Sequence, residues 1–180
     1  MKHFILHYGE IALKKGNRSF FENTLQKRVV AQLNKIGPLN VRKLSGRLWL
    51  EFAAPPDQKM VADELKKIFG LVNFIPCGRS EVSLESLKQH LDLQLKEKNF
   101  SSFAVRAKRG EQNFPLGSQY VNEEIGRFVQ EKTGAKVNLD DPETTIHIEM
   151  FKDHIFYGFE KIACFGGLPV GIAGKVAGLL

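Results

Sequence analysis

The chain of 180 residues has few cysteines and no long apolar run. Its 2 cysteines, Cys77 and Cys164, are far apart and form no Cys-x-x-Cys pair, which excludes a disulfide framework and a cysteine-rich zinc site. No apolar run approaches the roughly 20 residues that span a bilayer. The first fifteen residues have too short an apolar core, and no small-residue cleavage site, for a signal peptide. We therefore expect two reduced thiols in a cytoplasmic protein without a membrane partner.

The sequence also lacks the common catalytic and metal-binding motifs. Its histidines, among them His147 and His154, show neither a cysteine partner nor His-Glu-x-x-His spacing. No serine, threonine or cysteine lies in a nucleophile motif such as Gly-x-Ser-x-Gly. The glycine-rich C-terminal segment departs from a phosphate-binding loop, because Pro169 replaces its first glycine and Val176 its Ser/Thr. The sequence predicts no metal ligand and no catalytic residue.

Positive charge is concentrated in the first half of the chain. Residues 1–80 carry 14 Lys/Arg against 6 Asp/Glu, a net charge of +8, whereas residues 81–180 carry 12 against 14, a net charge of −2. This excess favours a polyanionic partner. Nucleic acid fits better than a membrane surface, because the basic residues do not gather opposite one apolar helix face.

The first part of the chain predicts a split β-α-β-β-α-β arrangement, which is typical of ferredoxin-like folds. Asn17 is placed to cap a helix whose apolar residues recur at spacing four from Phe21 to Leu33. A hairpin turns at Ser45-Gly46, and a fourth strand covers residues 72–76. A second helix follows Pro55-Pro56, with an apolar stripe formed by Met60, Val61, Leu65 and Ile68.

The second part predicts an α/β unit that follows a linker at residues 79–81. Ser83 opens a helix with leucines on one face, and Ser118 is placed to cap a second helix that ends at Gly134. Residues 137–139 suggest a short strand, and residues 145–150 and 155–159 a hairpin. The buried side of this hairpin would carry Ile146, Ile148, Met150, Tyr157 and Phe159.

A basic strand at residues 103–109 is the candidate binding site of this second part. Its apolar residues alternate with Arg106 and Lys108, which therefore project together, and Arg109 follows where the strand ends. Guanidinium groups and the N-terminus of the following helix both suit phosphate. A solvated strand edge without any ligand is the alternative that spacing alone leaves open.

Four motifs in this order resemble one known family. They are YGEIALKKGNR at 8–18, FAVRAKR at 103–109, KVNLDDP at 136–142 and GGLPVG at 166–171. Together they resemble the N-terminal part of the tRNA sulfurtransferase (tRNA 4-thiouridine synthase) family, which also serves thiazole formation in thiamine biosynthesis. The resemblance implies an α+β protein with a ferredoxin-like domain at 1–78 and an RNA-binding THUMP domain with a mixed sheet at 79–165. Residues 166–180 would then be a linker toward an ATP-using PP-loop domain that this sequence lacks.

The resemblance also implies a partner and a set of contacts. The partner would be tRNA, bound at its acceptor stem and 3′ end. The implied contacts are Lys14, Lys15, Asn17 and Arg18 in the first domain and Arg106, Lys108, Arg109, Lys136 and Asn138 in the second. Phe114 or Tyr120 would either stack on an end base or pack in the core.

The resemblance places the chemistry outside this chain. Family members are ATP-dependent tRNA sulfurtransferases, whose ATP, Mg²⁺ and sulfur-donating cysteine desulfurase belong with the PP-loop domain. We therefore expect this chain alone to be non-catalytic and without a cofactor, as a fragment or as a stand-alone RNA-binding protein. A protein-interaction module, including a homodimer, stays open as an alternative. A small enzyme of the acylphosphatase kind is disfavoured, because no phosphate loop accompanies the first strand.

Overall fold

The computed structural model describes residues 1–10, 16–111 and 114–169. The chain divides into two compact units. The first unit contains Leu6–Phe74 and the segment that begins at Ile162, and the second unit contains Met1–Ile5 and Ile75–Lys161. Lys14 and Lys15, two of the predicted contacts, lie outside the described residues, as does most of the predicted linker.

The first unit has the predicted β-α-β-β-α-β order. Its elements are β1 (His3–Tyr8), α1 (Arg18–Leu33), β2 (Leu39–Leu44), β3 (Arg47–Phe52), α2 (Gln58–Lys66) and β4 (Leu71–Ser80). The strands are ordered β2–β3–β1–β4, and a short β9 (Ile162–Ala163) pairs antiparallel with β4. This order gives the first unit a ferredoxin-like sheet.

Helix α1 forms the core of the first unit as its spacing predicts. Leu25, Val29 and Leu33 are fully buried, because residues four apart lie on one face of a helix. Met60 differs from the sequence-based expectation. It was expected in the apolar stripe of α2, but its side chain is 51% exposed, while Val61 and Leu65 carry the buried face.

The second unit contains a mixed sheet with two helices. Its further elements are α3 (Leu84–Leu95), β5 (Ser102–Arg109), α4 (Ser118–Thr133), β6 (Lys136–Val137), β7 (Thr144–Phe151) and β8 (His154–Gly158). The order is β4–β8–β7–β5–β6. Strand β5 runs parallel to β6 and β7, whereas β8 is antiparallel to β7 and β4. The fold class is therefore α+β, as expected.

The core of the second unit lies between this sheet and its helices. Leucines of α3, apolar residues of α4 and the inward side chains of β5, β7 and β8 form one buried cluster. The cluster includes Ile148 from β7 and Tyr157 from β8, which are Cα partners in the sheet. The predicted buried side of the hairpin is confirmed.

Two local expectations at the edges of elements need correction. Residues 79–81 were expected to be a linker, but Arg79 and Ser80 continue β4 because they pair with Phe156 and Ile155 of β8. Ser118 does not cap α4. Gly117 occupies the N-cap position without a side-chain hydrogen bond, and Ser118 is the first helical residue.

The other predicted helix boundaries of the second unit are confirmed. The Ser83 side chain accepts a hydrogen bond from the Ser86 backbone N–H at 3.0 Å, which caps α3. Gly134 ends α4 with φ of 71°, a left-handed conformation that suits glycine.

No described helix is long and apolar enough to cross a membrane. Among the same residues, no group of three or more His, Cys, Asp or Glu side chains could hold a metal ion.

Candidate nucleic-acid interface

Strand β5 separates its apolar and basic side chains as the alternation predicts. Phe103, Val105 and Ala107 are buried in the core cluster of the second unit. Arg106 and Lys108 are exposed on the opposite face of the strand. Because successive residues of a strand point to opposite faces, Arg106 and Lys108, two positions apart, lie on the same face. This basic face is the structural basis of the candidate site.

Arg106 is held partly by the turn that follows β6. Its guanidinium donates a hydrogen bond to the backbone carbonyl of Leu139. The Asn138 side chain shapes the same turn: it donates to the Asp141 carbonyl at 2.7 Å and accepts from the backbone N–H groups of Asp140 and Asp141 at 3.1 Å each. This turn-forming role of Asn138 was missed in the sequence, although Asn, Asp and Pro close together favour such turns.

A cavity of about 540 Å³ lies between β5, β6 and α4. Its lining combines apolar side chains, including Val137 and Leu139, with the amide side chains of Gln119, Asn122 and Gln130. Asn122 has a second task, since its Oδ1 accepts the backbone N–H of Ala107 at 2.7 Å.

The two aromatic candidates differ in exposure. Phe114 is 6% exposed and belongs to the core cluster, which agrees with the packing alternative. Tyr120 is 49% exposed on α4. Tyr120 is therefore the aromatic side chain of this pair that a base could reach.

In the first unit, Arg18 belongs to a buried polar network. Tyr8 Oη donates a hydrogen bond to Glu22 Oε1 at 2.5 Å, and Arg18 Nε donates to the same oxygen at 2.8 Å. Lys43 Nζ lies 3.9 Å from Glu22 Oε2. Asn17 precedes Arg18 at the N-cap of α1 without a side-chain cap bond. Sequence reasoning missed Glu22 and Lys43. The spacing of four between Arg18 and Glu22 in α1 is a signal that could have indicated their ion pair, whereas Tyr8 and Lys43 come from other elements.

The network shifts the ionisation of its members. Burial, with help from the Glu22 hydrogen bond, raises the pKa of Tyr8 to about 12. Burial opposes ionisation of Glu22, but hydrogen bonds from Tyr8 and Arg18 outweigh it and lower the pKa of that carboxyl. Glu22 is thus a buried carboxylate that neutralises one of the two nearby cations.

Two protein-family models match the chain, and their boundaries follow the division into two units. A model of the ThiI ferredoxin-like domain matches residues 3–74. A model of the THUMP domain matches residues 79–157. The chain contains a ThiI ferredoxin-like domain and a THUMP domain. Nearly all of the first match lies in the first unit, and all of the second match lies in the second unit.

Individual relatives and solved structures match nearly the whole length of the chain. A probable tRNA sulfurtransferase of Alkaliphilus oremlandii is 35% identical over 98% of this chain and 46% of its own length. The crystal structure of PH1313 from Pyrococcus horikoshii matches with a TM-score of 0.84 and 29% identity over 95% of this chain and 58% of that one. A 4-thiouridine synthetase solved with RNA and ATP matches with a TM-score of 0.77 and 26% identity. That match covers 97% of this chain and 45% of the synthetase chain. The chain thus spans about half the length of the curated relatives it matches.

The described contact candidates fall in both domains. Asn17 and Arg18 lie in the ferredoxin-like domain. In the THUMP domain, Arg106, Lys108 and Arg109 share β5, and Lys136 is the Cα partner of Ser102 at the start of that strand. Asn138 follows on the same edge, where its backbone N–H donates to the Phe103 carbonyl at 2.8 Å. The five THUMP candidates therefore follow one strand and its neighbour.

Proposed function

We propose that this chain is the tRNA-binding module of a ThiI-type tRNA sulfurtransferase and that it recognises the acceptor stem and 3′ end. The main observation in support of this proposal is the pair of exposed cations, Arg106 and Lys108, on the basic face of β5 in a THUMP domain. The likeness to a 4-thiouridine synthetase solved with RNA supports the same partner.

The chemistry of RNA explains why a strand face with exposed cations is enough to bind it. The major groove of an A-form duplex is too deep and narrow for side chains to reach its bases. Proteins therefore recognise double-stranded RNA through its shape, its phosphates and its 2′-hydroxyls. Arg106, Lys108 and Arg109 offer cationic donors for phosphates, and Lys136 extends this row along β6. In this proposal Asn138 acts through the turn it holds, because its amide already makes three hydrogen bonds there.

The ferredoxin-like domain contributes the contact to the acceptor stem in this proposal. Arg18 is the described member of its predicted basic loop, with Asn17 beside it and Lys14 and Lys15 preceding it. Glu22 offsets one charge of Arg18 and Lys43, so this group keeps one surplus positive charge.

A single-stranded 3′ end fits the THUMP cavity between β5, β6 and α4. Amide side chains can pair with the edges of an unstacked base, and the apolar wall formed by Val137 and Leu139 can pack on its face. Tyr120, half-exposed on α4, is the candidate stacking residue.

The sulfur-transfer step itself lies outside this chain in the proposal. ATP, Mg²⁺ and a sulfur-donating cysteine desulfurase would act at a PP-loop domain in the cytoplasm, and the product would be 4-thiouridine in tRNA, with sulfur also supplied for the thiamine thiazole. Accordingly, the chain incubated with tRNA, ATP and a sulfur donor should generate no 4-thiouridine absorbance.

Filter binding of labelled tRNA at several salt concentrations tests the binding proposal. Each phosphate contact contributes about −0.7 to −0.9 to the slope of log affinity against log salt. Arg106→Ala and Lys108→Ala should each weaken binding and flatten that slope by roughly one. Lys152→Ala, an exposed lysine in the β7–β8 turn, is the matched control and should change neither. Removing the single-stranded 3′ end should weaken binding more than changing the duplex sequence. An unchanged affinity and slope in Arg106→Ala would show that the basic face is not the site.

A protein-interaction or dimerisation module is the second candidate, favoured by one observation in the first unit. Phe69 and Phe165 are 50% and 76% exposed, and their rings stack with centroids 6.0 Å apart. A contiguous exposed apolar patch is a feature of protein contact surfaces, and this pair would form the centre of one. A chain that self-associates in sedimentation velocity and fails to bind tRNA would favour this candidate.

A further inference from the structure

A second, smaller cleft lies on the basic face of β5. It has a volume of about 220 Å³ and is wholly within the second unit. Its lining residues come from β4, β5, β7 and the segment after β8, and they are Ile75, Arg106, Lys108, His147, Glu149 and Lys161. Lys161 was not among the contacts that the sequence predicted.

The register of the sheet explains how these side chains meet. Strands β5 and β7 are parallel, and Arg106 is the Cα partner of His147, while Lys108 is the Cα partner of Glu149. Cα partners in a sheet point to the same face. Lys161 reaches this face from the chain just before β9. Three cations from two distant chain segments thus converge on one cleft.

The charge of the cleft is positive even though it includes a carboxylate. Glu149 is 5% exposed, whereas Arg106, Lys108 and Lys161 are exposed. With His147 neutral, one arginine, two lysines and one glutamate leave a net charge of +2. The buried carboxylate reduces the mutual repulsion of the cations when no anion is present, and the surplus charge favours an anion.

The size of the cleft selects the kind of anion. Its volume of about 220 Å³ lies below the roughly 300–1,000 Å³ of sites that enclose a small organic ligand. A single phosphate group is compact and has several acceptor oxygens, which a guanidinium and two ammonium groups can approach from different sides. The cleft therefore suits one phosphate rather than a whole nucleotide.

We propose that this cleft binds one backbone phosphate of RNA, with Lys161 as its third cationic ligand beside Arg106 and Lys108. The proposal rests on the proposed function and adds to it a defined phosphate position and a residue that lies 52 positions after β5 in the chain. His147 and Glu149 act as positioning residues, since they form the β7 side of the cleft.

Lys161→Ala tests the assignment in the full chain, with Lys152→Ala as the matched control. One phosphate contact changes log affinity by about 0.7 to 0.9 per tenfold change in salt. If the variant and the parent bind equally at 1 M salt, the loss of one contact should make the tRNA affinity of the variant about 5- to 8-fold lower than that of the parent at 0.1 M salt. Lys161→Ala should show this loss and a slope flatter by roughly one, while Lys152→Ala should match the parent. Circular dichroism should show both variants folded. Equal binding by Lys161→Ala and the parent would overturn the assignment and leave the proposed function intact.

A chemical substitution in the RNA gives an independent test. A methylphosphonate removes the charge of one chosen phosphate, and a series of acceptor-stem RNAs can carry it at each position in turn. At one position it should weaken Lys161→Ala less than the parent, because the variant has lost only the Lys161 contact to that phosphate while Arg106 and Lys108 keep theirs, so the two changes are not additive. Additive effects at every position would overturn the proposal. Inorganic phosphate is the probe for a small-anion site: if it binds the parent through Lys161 and tRNA does not compete, the cleft is not an RNA site. If the parent binds no tRNA at all, both the proposal and the proposed function fail.

Discussion

Replacing Tyr8 by phenylalanine should weaken the first unit by an amount that depends on pH. The Tyr8 hydroxyl, which is 6% exposed, donates to the Glu22 carboxylate. A hydrogen bond to a charged group contributes about 1.5–3 kcal/mol to stability. At pH 8 we therefore expect Tyr8→Phe to lower the free energy of unfolding by about that amount.

The direction of the pH dependence follows from the raised pKa. Burial and the Glu22 hydrogen bond raise the pKa of Tyr8 from 10.0 to about 12 in the folded chain. Since the folded pKa lies above the unfolded one, the stabilisation is complete below about pH 10 and is lost as pH rises toward 12. A difference of two pKa units corresponds to about 2.7 kcal/mol, of which about half, or 1.4 kcal/mol, is lost by pH 11.

Urea unfolding at pH 8 and pH 11 measures this effect directly. Trp49, the single tryptophan, is 2% exposed and reports unfolding of the first unit. The stability difference between the parent and Tyr8→Phe should shrink by about 1.4 kcal/mol between the two pH values. Cys164, whose pKa burial raises to about 11, titrates in both proteins and cancels from the difference.

Tyr120→Phe is the control for this experiment. Its side chain is 49% exposed, and its replacement should leave stability within about 0.5 kcal/mol of the parent at both pH values. A parent-to-Tyr8→Phe difference that stays constant or grows between pH 8 and pH 11 would refute the link between burial, hydrogen bonding and ionisation at Tyr8.

Two further predictions concern the backbone of the second unit. Ser83→Ala removes the cap of α3 and should lower the free energy of unfolding, measured by thermal unfolding, by about 1 kcal/mol. Ser118→Ala should stay within about 0.5 kcal/mol of the parent, because Ser118 is not a cap. Equal losses in the two variants would contradict this distinction. Gly158→Ala would place a Cβ 2.4 Å from the Pro76 carbonyl oxygen, so a loss above about 4 kcal/mol or insoluble protein is expected. Gly126→Ala in α4 meets no atom within 4 Å and should gain about 0.5–1 kcal/mol, which makes it the matched control in urea unfolding.

Much of the fold could be predicted from the sequence because its signals are local. The alternation along residues 103–109 fixes which side chains of β5 are buried, since successive side chains of a strand point to opposite faces. The spacing of four in α1 likewise fixes its buried face, and Ser83 marks the start of α3 through a bond to a residue three positions away. Each of these features depends on neighbours within one element.

The candidate site was predicted only in part, because cations can be located in a sequence while their neighbours cannot. Arg106 and Lys108 stand out in β5, but the register with β7 places His147 and Glu149 beside them, and Lys161 joins from a later segment. The net charge of a sequence does not show which of its cations are paired with carboxylates.

Pairing between distant segments decided the remaining features. Strand β4 continues through Arg79 and Ser80 because β8, more than seventy residues later, supplies their partners. Arg18 resembles a free surface cation in the sequence, yet Tyr8 from β1 and Lys43 from β2 meet Glu22 beside it. Local periodicity thus determined which elements form and which faces they bury. The tertiary structure determined which charges are neutralised and which converge, because hydrogen bonds and ion pairs depend on distances in space between residues that are remote in sequence.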